Sequence, residues 1–455
     1  MLQHRAKIVD GQIHVGPLNY KILILPNIKA MPLETLRFVQ QYVQQGGVVI
    51  ALERVPDSST GLADYAQKDR QVQALVREMF DEPVGDDGTA PKPYGQGRTY
   101  HIKRVIDRQD ILDRRSSSLD PFVNALRDHV PPDFGIDFAL QGLRENRGLT
   151  FLHRKMNQDD LYFVSNIQDQ VSTIPVTFRV TDRVPWKWNP YTGEVTPLLT
   201  YTVKQGGIEI PLLLQPYESL FIVFTPGRQL HASQSSLHEI LALEPRRMIG
   251  SAHSNGPFAV TLTDGVVSKT VQGNVTGLPA PLLISGEWRL VFPPSGSIDL
   301  DTTFTRLFSW TRVSRTRPFS GSGLYELSFT APSVYVKEDL QLFLDLGRVG
   351  DIAEVMVNGQ KVGVIWMRGQ MLEVTGLIRA GTNRLSVKVT NTLINRVSGM
   401  KEAPPVPEEL VEQYGRSLVQ ASAGPRSPMS FTALPASGLL GPVRLVVYKK
   451  IDCPL

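Results

Sequence analysis

Hydrolysis of a sugar, ester or peptide bond needs either a nucleophile with its base or two acid–base groups held on opposite sides of the bond. The sequence offers little of the first kind. Its one cysteine, Cys453, lies two residues from the C-terminus, which excludes an intrachain disulfide, a multi-cysteine metal site and a thiolate nucleophile earlier in the chain. No Gly-x-Ser-x-Gly elbow supplies a serine instead. None of the eight histidines shows the i, i+4 spacing of a helical metal pair, and His101, His129 and His153, in or beside predicted elements, read as structural. Carboxylates are plentiful, but a sequence does not show which of them converge. Asp345, Asp351 and Glu354 fall within one strand-turn-strand and read as solvent-facing. Aromatic side chains give a better lead, because the apolar C–H faces of sugar rings stack on exposed rings. Trp366 ends the strand that follows an Asn-Gly turn, and Trp186 and Trp188 flank a turn nearer the middle of the chain.

The elements that position such groups are expected to be mainly strands. At 455 residues the chain exceeds the roughly 250 to 300 residues over which one core grows, so about two to four domains are expected. The 37 glycines and 33 prolines favour many turns and short strands over long helices. The formal charge is only +4, and the densest basic groups, Arg246-Arg247 and Arg312, Arg315 and Arg317, are short and carry no nucleic-acid motif. Nucleic acid is therefore set aside as a partner. Nucleotide binding is set aside too, since the turn PNIKAMP after the first buried strand has bulky residues where a phosphate loop needs glycine. No stretch approaches the roughly 18 uninterrupted apolar residues of a membrane span, and MLQHRAKIVDGQIHVG holds no apolar run of a signal peptide.

Residues 1–147 read as a small α/β domain. Lys21–Leu25 and Val48–Leu52 have the short apolar runs of parallel strands, and Leu33, Leu36, Val39 and Val43 share one helix face between them. A second helix carries Val72, Leu75, Val76, Met79 and Phe80, and a third starts at Asp120-Pro121 with Phe122, Leu126 and Val130 inward. Residues 148–228 read as a small antiparallel β-sandwich, 229–256 as a linker, and 257–455 as a jelly-roll β-sandwich. In the last, Asn358-Gly359 marks a tight hairpin and Glu408–Val419 a helix.

Several blocks together resemble one family. ILPNIKAMPLETLRFVQQYVQQGGVVIAL (24–52) resembles a class I glutamine amidotransferase-like domain, and DLYFVSN (160–166) and WNPYTGEVTPL (188–198) resemble the small sandwich that follows it. LDLGRVGDIAEVMVNGQKVGVIW (344–366), LEVTGLIRAGTNRLSVKVTNTLINRVSG (372–399) and ALPASGLLGPVRLVVY (433–448) resemble a galactose-binding-like jelly roll. The order is similar to that in the α-L-rhamnosidases of glycoside hydrolase family 106. The resemblance implies an amidotransferase-like domain that is inactive for want of its cysteine. It also implies a catalytic β/α barrel, with the acid and base glutamates, ahead of the first residue of this sequence, so no family catalytic residue carries over to any position here.

The expectation is a three-domain accessory region of a rhamnosidase-like glycoside hydrolase, truncated or separated from its barrel and inactive alone. Its implied partners are rhamnose-containing glycans or the missing barrel, and Trp366, Asn358, Asn391 and Asn395 are the candidate carbohydrate contacts. No catalytic residue, metal or cofactor is expected, and structural calcium stays open. The family suggests a periplasmic or extracellular location, which the sequence leaves undecided. Two alternatives stand beside this: a stand-alone carbohydrate-binding or adhesion protein, and an intact enzyme whose carboxylates converge in a cleft between domains.

Overall fold

The chain is mainly β and divides into two units, Met1–Asp133 and Phe134–Leu455. The computed structural model describes residues 5–80, 91–103, 120–136, 148–292, 300–398, 407–415 and 435–455.

In the first unit Val48–Leu52 is apolar at every position, the pattern of a strand buried on both faces. It pairs in parallel with Ile22–Leu25 and Gly97–Ile102, and Lys92–Tyr94 adds an antiparallel edge. The two-residue period sends alternate side chains to opposite cores. Val49 and Ala51 meet Leu36 and Val39 of the helix Leu33–Gln44 and Val72 and Met79 of the helix Tyr65–Phe80. Val48 and Ile50 join Tyr100, Ile102 and Ala125, the last from the helix Asp120–Arg127. Val130, expected inward, lies past the end of that helix and is 38% exposed. An antiparallel meander, Ala6–Val9, Gln12–Val15 and Leu18–Tyr20, contributes Ile13 to the first core.

The second unit holds two sandwiches. The smaller has one sheet in the order Val195–Pro197, Arg183–Trp188, Ser219–Pro226, Asp159–Asn166, Leu149–Met156. Facing it is Thr202–Lys204, Gly207–Leu214, Ser172–Phe178, Phe134–Ile136. Alternation along Asp159–Asn166 and Gly207–Leu214 buries Tyr162, Val164, Ile208 and Ile210 between the sheets. Because Phe134–Ile136 pairs with Ser172–Phe178, this sandwich takes in residues ahead of 148.

The larger sandwich is the jelly roll. Its first sheet runs Leu300–Phe304, Trp288–Phe292, Ser322–Ala331, Gly381–Thr390, Ile352–Val357, Gln360–Ile365. The second runs Glu239–Glu244, Arg247–Ala252, Arg444–Pro454, Leu340–Asp345, Leu372–Glu373, with Leu282–Leu283 also on Arg444–Pro454. One core fills the space between, including Trp288, Tyr325, Leu342, Val355, Val387 and Leu445. The outer face of the first sheet is charged. Arg289 donates to Asp301 (2.9 and 2.6 Å) and pairs with Glu326 (3.5 Å), Glu326 pairs with Arg384, and Lys388 pairs with Glu354 (3.0 Å).

The stretch 229–256, expected as a linker, is instead three strands, His231–Ser235, Glu239–Glu244 and Arg247–Ala252. The last two form a hairpin whose turn, Pro245-Arg246, lacks an Asn-Gly signal, and a bulge between Ile240 and Ala242 breaks the alternation that marks a strand. The helix expected over Glu408–Val419 is described as Glu408–Tyr414, and residues 416–419 lie outside the described residues.

Candidate functional site

Asn358 and Gly359 close the hairpin between Ile352–Val357 and Gln360–Ile365 with φ of 49° and 82°, the left-handed pair that a tight two-residue turn requires. The Asn358 amide donates to Leu377 O (2.8 Å) and Asn383 Oδ1 (2.9 Å), and its Oδ1 accepts from Arg384 N (2.9 Å). Asn391 Oδ1 accepts from Gly321 N (2.9 Å), while its Nδ2 donates to Phe319 O (2.9 Å) and Ser437 Oγ (3.3 Å). Asn395, fully buried, donates to the same Ser437 Oγ (3.0 Å). Asn391 and Asn395 thus share one internal network and Asn358 sits in another; the amides of all three bond within the protein.

Trp366 differs: it is 52% exposed. The strand before it ends in a turn held by Gln370, whose Oε1 accepts from Trp366 N (3.1 Å) and whose Nε2 donates to Val364 O (3.1 Å). This turn meets the smaller sandwich. Trp366 stands edge-on to Tyr191, with centroids 5.2 Å apart and planes at 77°. Arg368 forms an ion pair with Asp169, and its guanidinium lies 5.9 Å from the centre of the Tyr217 ring. The bond to Asp169 raises Arg368 above its already high ordinary pKa. Gly369 has φ of 74°, a backbone conformation that favours glycine, and it packs against the Gln215 side chain. Asp169, Gly347, Arg348 and Arg368 line a pocket of about 300 Å³.

The arrangement presents half-exposed aromatic rings and a small charged hollow in the same turn region. Its one lining carboxylate among the described residues, Asp169, is committed to Arg368. Asp345 pairs with Arg444 (2.9 Å), Asp351 accepts from Thr392 N (2.9 Å) and Glu354 pairs with Lys388, so these three face separate partners. The histidines are tied into the fold: His101 to Glu53 O (3.2 Å), His129 to the Tyr100 hydroxyl (2.8 Å), His153 to Asp160 (2.9 Å). Trp186 and Trp188 lie on one strand rather than across a turn, and Trp186 Nε1 donates to Thr225 Oγ1 (3.1 Å). Among the described residues no three metal-ligating side chains gather. A second hollow, about 600 Å³, is lined by the paired Arg247 and Asp452 with Glu244, Pro245, Arg246 and Pro454. Tyr191, Tyr217, Asp169 and Arg348 come from segments far from Trp366 in the chain, Arg368 shares its turn, and of the five only Tyr191 carries a hint in sequence, in the aromatic turn segment WNPYTG.

The family model for glycoside hydrolase family 106, described as alpha-L-rhamnosidase, matches residues 1–203. A protein of Formosa agariphila named "Putative beta-glucuronidase" is 31% identical over 241 residues, which are 50% of this chain and 20% of that protein. A solved structure, a rhamnosidase from Novosphingobium sp. PP1Y, shares the fold with a TM-score of 0.61 at 23% identity, over 98% of this chain and 35% of that one. This chain therefore spans well under two thirds of either relative, and it is related to the family-106 glycoside hydrolases.

Proposed function

We propose that this relative of the family-106 glycoside hydrolases acts as an accessory region of such an enzyme, packing against its catalytic barrel and holding a glycan rather than cleaving one. The observation that carries the reading is Trp366, half-exposed and edge-on to Tyr191 in the turn that also places Arg368 at the charged pocket. A sugar ring can lie on such a platform by its C–H face while polar neighbours take its hydroxyls. Cleavage asks for more. Retaining and inverting glycosidases hold two carboxyl groups about 5–5.5 Å and about 6.5–9.5 Å apart, respectively. Among its described lining residues the pocket has one carboxylate, already bonded to Arg368.

The test pairs an aryl α-L-rhamnoside assay with calorimetry on a rhamnose-containing oligosaccharide. No turnover and a heat of binding that vanishes in Trp366→Ala are expected. Turnover by the 455-residue chain, or binding indifferent to Trp366→Ala, would sink the reading.

A further inference from the structure

We infer that the glycan held beside Trp366 carries a carboxylate, received by the guanidinium groups of Arg348 and Arg368 in the adjoining pocket. This rests on the reading of Trp366 as a sugar platform and adds the chemical class of the sugar.

Among the described residues the pocket is lined by two guanidinium groups and one carboxylate, and the nearby Asp345, which accepts from Gly347 N (2.7 Å), is taken up by Arg444. Arg368 is fixed in place by Asp169 and by the Tyr217 ring beneath it. Arg348, exposed on the short strand Arg348–Gly350, has no ion-pair partner among the described residues; the carboxylate three residues before it, Asp345, is bonded to Arg444 (2.9 Å). Elsewhere on the jelly roll, arginines on the sheet faces are matched: Arg247 with Asp452, Arg289 with Asp301, Arg384 with Glu326. Arg348 thus differs from the matched strand arginines around it. A guanidinium offers parallel N–H donors that fit the two oxygens of a carboxylate, and this planar match is what a neutral hydroxyl cannot reproduce. Gly347, at φ of 63°, packs its backbone against Gly441, where a Cβ would fall 2.4 Å from the carbonyl carbon, and so fixes the chain just before Arg348. At about 300 Å³ the hollow lies at the small end of ligand pockets, which suits one sugar unit rather than a chain. The platform then takes the ring and the pocket takes the acid group.

The experiment titrates the 455-residue chain with a rhamnose–galacturonate tetrasaccharide and with the same tetrasaccharide after its carboxyls are reduced to alcohols. The acidic form is expected to bind about tenfold more tightly, a preference that shrinks as salt is added. Arg348→Gln removes the preference and leaves the reduced form bound as before; Trp366→Ala weakens both forms. Equal binding of the two forms by the unaltered chain overturns the carboxylate inference while the platform stands. Binding of neither form, or of both regardless of Trp366→Ala, overturns the platform reading as well. The comparison of the two ligands needs no variant, so it decides the question even if Arg348→Gln folds poorly.

Discussion

The Asn358 amide bonds to Leu377, Asn383 and Arg384 while its own backbone sits at φ of 49°, so one residue both tolerates the turn and ties it to the neighbouring strand. Asn358→Ala puts a Cβ-bearing residue without a compensating side chain in the left-handed region and leaves three polar groups short of a partner. The expected cost is about 2–4 kcal/mol, read as a lower urea midpoint at unchanged slope. Trp366 stands at the opposite extreme. It is half in water, so Trp366→Ala should change stability by about 1 kcal/mol or less while abolishing glycan binding. A large loss of stability in that variant would mark Trp366 as a packing residue. Asn358 and Trp366, eight residues apart in sequence, thus differ in setting, one bonded within the protein and the other half in water, a difference that residue type alone leaves hidden.

Elements that meet the core on every face were legible in the sequence, and those that meet it on one irregular edge were not. Val48–Leu52, apolar throughout, and Trp288–Phe292, apolar on its inward face, are found where their patterns place them, because burial on both faces or a clean alternation leaves no other solution. Ser268–Val275 lies within the stretch expected as strands but has no pattern of its own: six of its eight residues are exposed, so hydrophobicity carries no trace of its pairing with Gly256–Thr263. The candidate site was legible only at Trp366, since Tyr191, Tyr217, Asp169 and Arg348 reach it from distant segments through tertiary structure. The short strand Gly438–Gly441 is likewise placed by long-range bonds. Tyr325 OH accepts from Trp310 Nε1 (2.6 Å) and from Leu439 N (3.1 Å), and burial pushes its pKa up to about 12, so it stays a protonated hydroxyl. Tyr325→Phe strands two buried N–H donors and should cost about 2–4 kcal/mol in thermal or chemical unfolding. An unchanged midpoint would show that the strand is held by its apolar contacts alone.

For the molecule as a whole, three histidines set the response to acid: His231 is buried, His129 half-buried and His238 surface-exposed on one side. Burial lowers the pKa of His129 in the first unit and of His231 and His238 in the second. The unfolded chain, titrating near about 6.5, takes up protons before the folded one does, so stability is full above that pH and falls as pH drops through the lower folded values. Salt-bridged carboxylates such as Asp301, held below their usual range by Arg289, add their own loss only below about pH 4. Melting temperature should therefore decline between about pH 7 and 5, and His231→Phe should flatten part of that slope; a melting temperature that rises on acidification would contradict the assignment. The charge ladder from Asp301 through Arg289 and Glu326 to Arg384 has a different consequence. Exposed pairs are each worth only about 0.2–1 kcal/mol, and the inner members of a ladder have a second neighbour to turn to when one is lost. That outer face can drift in sequence at little thermodynamic expense, while the inward face of the same strands, closed around Trp288 and Tyr325, has almost no room to wander.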